Sequence, residues 1–228
     1  MMRKEVLAAG EHFHIYNRGG RGEPIFLERT DQIRFLFLLL YCQLPLPLTD
    51  NAYHANLFEK RGSFYLHTKR KQISIALLKR RVELVNFSLM TNHFHLTVKA
   101  AEDGGVSKYM QRTLNAYTKY FNIKHKKEGH LFQGPFQAVR VSGNEQLLHL
   151  SAYIHRNPRD IRDWRSREDT YPFSSFMDYA GENRWGELLK PDIVLGQFDT
   201  PQSYKKFVDT SSAKSLESKL DPLHLIDD

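Results

Sequence analysis

Residues 82–100, VELVNFSLMTNHFHLTVKA, limit the fold more than any other stretch of this chain. Two runs of strand formers flank a short polar turn at Thr91-Asn92, the pattern of a β-hairpin. A hairpin fixes antiparallel pairing, so the chain needs a partly antiparallel sheet. It also assigns faces, because residues i and i+2 of a strand point the same way. His93 and His95 therefore share one face, and Phe94 turns to the other.

Around the hairpin lie helical patterns. EHFHIYNRG (residues 11–19) reads as a strand broken by Gly19, Gly20 and Gly22. A helix over residues 31–42 follows, capped by Thr30 or Asp31, with Ile33, Leu36, Phe37 and Leu40 on its apolar face. Pro45 and Pro47 stop it, and residues 44–70 read as a loop or small insertion. ISIALLKRR (residues 73–81) fits either a short helix or a strand. A long helix is expected over about residues 106–124, where Met110, Leu114, Tyr117 and Phe121 share a face, and a strand over the end of GPFQAVRV. The last clear helix lies in SGNEQLLHLSAYIHRNP; Ser142 with Glu145, or Asn144, caps its start, and Pro158 ends it. Strands and helices in this order predict an α+β fold, an antiparallel sheet with helices packed on it. We read residues 1–180 as one domain and 181–228 as a C-terminal extension, with a disordered tail from about residue 210.

Composition narrows the partners. Hydrophobic residues make up 41% of the 228, enough for a core. The 33 Lys and Arg outnumber 26 Asp and Glu, a net charge of +7, which favours an anionic partner such as nucleic acid. One cysteine, Cys42, permits no internal disulfide or polythiolate zinc site and fits a reducing compartment. The longest apolar run, Phe35 to Cys42, is too short to span a bilayer, and the N-terminus lacks a signal-peptide pattern. A cytoplasmic, nucleoid-associated protein is the expectation.

His93 and His95 side by side can hold one cation. Tyr153 and Asn157, four apart, lie on one helical face. A tyrosine is a usable nucleophile once deprotonated, and an asparagine oxygen can join two imidazoles on a hard ion such as Mg²⁺ or Mn²⁺ that also takes phosphate oxygens. Each residue has a plainer role: the histidines as strand polar residues, Tyr153 as packing, Asn157 as a helix end. Their coincidence is what suggests a site.

NHFHL, YIHRNP, GHLFQGPF, YPFSSF and the early HIYNRGG together resemble the single-tyrosine HUH transposases of the REP-associated kind, over about residues 11–180. The resemblance implies a ferredoxin-like fold, a divalent metal, Mg²⁺ or Mn²⁺, on His93, His95 and Asn157, and Tyr153 as the nucleophile. The reaction it implies is cleavage and rejoining of single-stranded or hairpin DNA through a 5′-phosphotyrosine link. Pro135 departs from the pattern, since a basic residue often stands there. Tyr117 and Tyr120 are rival tyrosines; Tyr117 falls on the apolar face, and Tyr120 has Lys124 rather than an oxygen ligand four residues on. Of the remaining histidines, His130 in GHLFQG could face DNA or the site, His155 turns away from the face of Tyr153 and Asn157, and none, His14 included, is a ligand by the resemblance.

The DNA contacts expected are Lys108, Arg112, Lys119, Lys124, Lys126, Lys127 and Arg140, interleaved with aromatics that can stack unpaired bases, and Arg156 and Arg159 beside the site. Two other functions remain open: a non-catalytic nucleic-acid binder of the same fold, and a hydrolase that uses water as its nucleophile.

Overall fold

The computed structural model describes residues 6–48, 51–64 and 70–211. Four strands form one antiparallel sheet: β1 (His12–Arg18), β2 (Val82–Leu89), β3 (His93–Ala100) and β4 (Gln137–Arg140). Their spatial order is β2-β3-β1-β4. α1 (Arg29–Tyr41) follows β1; α2 (Asn51–Arg61) stands in the segment read as a loop or small insertion, and α3 (Arg70–Leu77) shows that the start of ISIALLKRR is helix rather than strand. α4 (Gly105–His125) then joins β3 to β4. Leaving α2 and α3 aside, the order β-α-β-β-α-β with this strand sequence is the ferredoxin-like arrangement.

The pleat sorts the hairpin as its alternation predicts. Phe94, Leu96 and Val98 of β3 and Phe13 and Ile15 of β1 are wholly buried against α1 and α4. The predicted face of α4 is buried at Met110, Tyr117 and Phe121. α1 is buried almost all round, well beyond its expected stripe. The reason is α2: it lays His54 against the Phe37 ring at 4.7 Å, and Phe58 bridges to Phe173 and Trp185. α2 thus covers a face of α1 that would otherwise meet water.

The start of α1 differs from expectation. Glu28 occupies the cap position, and Asp31 sits one turn in, where its Oδ2 accepts from the backbone amides of Leu27 and Glu28 at 3.0 Å each. Asp31 is completely buried and also receives Lys124 Nζ at 2.8 Å and His125 Nε2 at 3.0 Å. Burial would push its carboxyl up, but these donors hold it below the ordinary range. This carboxylate ties the start of α1 to the end of α4.

The opposite sheet face carries α5 (Asn144–Arg156), which packs on β2 and β3. Its cap is Gly143 without a side-chain bond, because Ser142 is bonded to Gln146 and Asn144 to Gln197. α5 ends at Arg156 and passes into a 3-10 turn over Asn157–Asp160. Beyond it lie α6 (Phe176–Ala180), α7 (Asp192–Leu195) and α8 (Pro201–Thr210). Tyr204 of α8 joins a second core with Leu147, Leu150 and Ile154 of α5. The tail from residue 212 lies outside the described residues. Among the described residues no helix is long and apolar enough to cross a membrane.

Candidate functional site

The site residues on the sheet come from two adjacent strands, β1 and β3. Register places Tyr16 of β1 beside His95, and Arg18 beside His93. Since α5 crosses this face, its inward residues complete the set, and Tyr153 lies edge-on to His95 with ring centroids 5.4 Å apart. Asn157, one turn later, is buried as well.

The loop after β1 braces the hairpin turn. Gly19 N donates to Asn92 O at 2.8 Å, and Ile25 and Phe26 both donate to Thr91 O. A Cβ on Gly19 would meet Glu23 O at 1.9 Å, so only glycine allows this close backbone turn. Asn92 Nδ2 in turn donates to Gly22 O at 3.1 Å.

That last bond decides the chemistry of His93. With its NH₂ committed to Gly22, Asn92 presents Oδ1 to His93 Nδ1 at 2.7 Å. Oδ1 can only accept, so Nδ1 carries the proton and, in the neutral ring, Nε2 keeps its lone pair. Across the site, Asn157 Nδ2 donates to Tyr153 O at 2.9 Å, which turns Asn157 Oδ1 toward His93 Nε2 at 3.5 Å. Two lone-pair groups thus face each other, with orientations fixed by backbone carbonyls. A neutral pair of acceptors gains nothing from this placement; a cation between them would be bound by both.

His95 is held differently. It is 4% exposed, and its Nδ1 lies 2.9 Å from Nε2 of buried His14 on β1. Among the described residues no cluster of three His, Cys, Asp or Glu forms a metal-binding set. The fit to a metal rests instead on two imidazoles and an amide oxygen, a donor set suited to a hard or borderline divalent ion. The structure thus brings His93, His95, Tyr153 and Asn157 together as the sequence predicted. The spacing of residues did not reveal His14, Tyr16 and Arg18; their signal was the alternation of HFHIYNR, which puts them on one face.

The rival tyrosines lie elsewhere. Tyr117 is wholly buried and donates its hydroxyl to Ile25 O, and burial raises its phenol far above the ordinary range. Tyr120 donates to Asp31. His155 points away from the site, between the Tyr204 hydroxyl at 2.6 Å and the Ser175 hydroxyl at 2.8 Å, and burial pushes its pKa down to about 3.

The nine basic residues fall into two groups. Lys108 pairs with Glu102, Lys124 with Asp31 and Glu28, and Arg140 with Glu11. Arg112 donates to the carbonyls of Leu44 and Leu46. Arg156 donates to Ser211 O, and Arg159 pairs with Glu168 and Asp209 at 2.7 Å each. Lys119, Lys126 and Lys127 are exposed; Lys127 lies over the Phe121 ring. Lys126 and Lys127 follow α4 at the end of the sheet that holds His93, where Gly20 N donates to Leu131 O and Gln133 N to Arg18 O.

Residues 52–157 match the family model described as transposase IS200 like. A solved structure described as a REP-associated tyrosine transposase bound to a REP hairpin aligns at 14% identity. The alignment covers 85% of this chain and 92% of that one, with a TM-score of 0.50. At that identity the likeness speaks for the fold. No match is found among the curated proteins. The family match and the shared fold agree with the resemblance carried by the motifs.

Proposed function

We propose that this chain is a single-tyrosine HUH transposase that cleaves and rejoins hairpin-containing single-stranded DNA through a 5′-phosphotyrosine link to Tyr153. The observation that carries this reading is the facing pair His93 Nε2 and Asn157 Oδ1, one helical turn from Tyr153. Held by His93, His95 and Asn157, a divalent ion such as Mg²⁺ or Mn²⁺ would polarise the scissile phosphate and offset charge on its oxygens.

The side chains supply the rest. The bond from Asn157 Nδ2 to Tyr153 O fixes the amide oxygen relative to the nucleophile's own helix turn. Packing of Tyr153 against His95 and His14 holds the ring at one angle. The Tyr153 oxygen gives up its proton and bonds to phosphorus; the bond from phosphorus to the 3′ oxygen breaks, and that oxygen leaves as a 3′-OH once protonated. The phosphodiester energy is kept in the tyrosine link, so a 3′-OH reverses the step and joins strands without a nucleotide cofactor.

Hairpin DNA is the proposed partner because the structural neighbour is described in complex with a REP hairpin. Lys119, Lys126 and Lys127, exposed on α4 and just after it, are the proposed phosphate contacts; Arg156 and Arg159 stay bound to Ser211 O, Glu168 and Asp209. The test is incubation with hairpin oligonucleotides from the flanks of the gene and Mn²⁺, resolved on a denaturing gel. Wild type gives a covalent protein–DNA band, and Tyr153→Phe gives none while still binding the oligonucleotide. Cleavage without a covalent band would point to a hydrolase instead, and normal cleavage by Tyr153→Phe would overturn the assignment of the nucleophile.

A further inference from the structure

We propose that His14 is a positioning residue for His95, holding it as the Nδ1-H tautomer so that its Nε2 lone pair is presented to the cation; this rests on the metal-site reading above. His14 Nε2 and His95 Nδ1 are 2.9 Å apart, and their rings lie nearly parallel at 24° with centroids 5.1 Å apart. Both residues are buried, His14 at 2% exposure.

Two neutral ring nitrogens at that distance share one proton. If His14 donates, His95 carries its own proton on Nε2, and the ring cannot coordinate. If His95 donates, Nδ1 carries the proton and Nε2 keeps its lone pair. Only the second arrangement serves a metal, and it requires His14 to accept through Nε2. The histidine pair is then built symmetrically in function: His93 is held through Nδ1 by Asn92 Oδ1 at 2.7 Å, and His95 through Nδ1 by His14 Nε2. Outer partners of this kind fix both tautomer and ring angle.

The placement follows from the sheet. His14 pairs in register with Thr97, two residues beyond His95, and so lies diagonal to His95 on the same face. Diagonal neighbours of this kind are within reach of ring side chains. The Tyr153 ring stands edge-on to both imidazoles, so rotation of either one is blocked from the helix side.

The test uses the full chain, with ¹⁵N-labelled histidine in the metal-free protein and Mn²⁺ binding by calorimetry. Wild type is expected to show His95 with its proton on Nδ1. His14→Phe, which keeps a ring but offers no acceptor, is expected to lose that fixed tautomer and to bind Mn²⁺ about 10–100-fold more weakly. His14→Gln, whose Oε1 can accept, is expected to recover part of the affinity, which a purely structural role would not predict. Circular dichroism confirms that each variant is folded, and His14→Gln carries the comparison if His14→Phe is not. Wild type with the His95 proton on Nε2, or His14→Phe binding Mn²⁺ as tightly as wild type, overturns the proposal. A wild-type protein that takes up no Mn²⁺ removes the metal site itself, and the role of His14 with it.

Discussion

His93 and Asn157 are 64 residues apart in the chain, yet Nε2 of one faces Oδ1 of the other at 3.5 Å, each turned there by a separate backbone carbonyl. Gly22 O fixes the first orientation through Asn92, and Tyr153 O fixes the second. With His93 neutral and protonated on Nδ1, a cation between the two lone pairs would be bound by both.

Asn157→Ala removes one of those lone pairs. We expect Mn²⁺ affinity to fall about tenfold, roughly 1.4 kcal/mol, and the covalent band to weaken at low Mn²⁺ and return at high Mn²⁺. Calorimetry alongside the gel checks this; unchanged affinity would remove Asn157 from the ligand set.

The basic residues separate by experiment into those that hold the fold and those that meet DNA. Lys119→Ala with Lys126→Ala should lower the slope of log affinity against log salt by about 1 per lost phosphate contact. Lys124→Ala should instead lower the melting temperature, because its ammonium is bound to Asp31 and Glu28. Equal slopes in the double variant and the wild type would move the DNA path off the end of α4.

Asp31→Asn should destabilise the fold by about 3 kcal/mol, since it leaves Lys124 and His125 without their carboxylate. The native carboxyl is held below its ordinary value of 3.8, so its stabilising effect is full above that pH and is lost as pH falls through the lowered value. Denaturant melts of wild type and variant should stay apart above pH 3.8 and draw together as the pH falls below it. Parallel curves would count against the ion pair.

The α5–α8 contact predicts a second acid effect. His155 is neutral in the fold, with its pKa down at about 3 against 6.5 in the unfolded chain. Protonation therefore favours the unfolded chain, and stability drains as pH falls from about 6.5 toward 3. His155→Gln should flatten that part of the pH–stability curve. Tyr204→Phe, which removes the hydroxyl shared by Ser151 and His155, should cost about 2 kcal/mol at neutral pH. A variant as stable as wild type would show that the hydroxyl contributes nothing net.

Much of the sheet was legible because alternation has only two phases. The two runs VELVNFSLM and HFHLTVKA pair as the expected hairpin with Phe94, Leu96 and Val98 inward, but β2 carries a register shift between Leu84 and Asn86 that alternation does not show. Helix caps were less legible. Asp31 was read as a possible cap and turned out one turn inside the helix, bound to residues of α4; Ser142 and Asn144 had the right chemistry for a cap but found other partners. Residues 44–70 read as a loop or insertion because nothing local says that α2 will cover the outer side of α1. The basic residues read as a DNA surface because sequence lists charges without their counter-ions, and six of the nine bind carboxylates or carbonyls of the chain itself.

By itself the sequence determined the faces: which side of β3 carries His93 and His95, and that Tyr153 and Asn157 share one side of their helix. Periodicity fixes these, since side-chain direction repeats every two residues in a strand and about every 3.6 in a helix. Tertiary structure alone decided that the two faces meet, because the packing of α5 on β2 and β3 joins segments with no local signal for each other. It alone also decided which atoms face inward. The direction of an amide or an imidazole nitrogen is set by hydrogen bonds from distant backbone and side chains, here Gly22 O, Tyr153 O and His14, and no spacing within the sequence encodes those bonds.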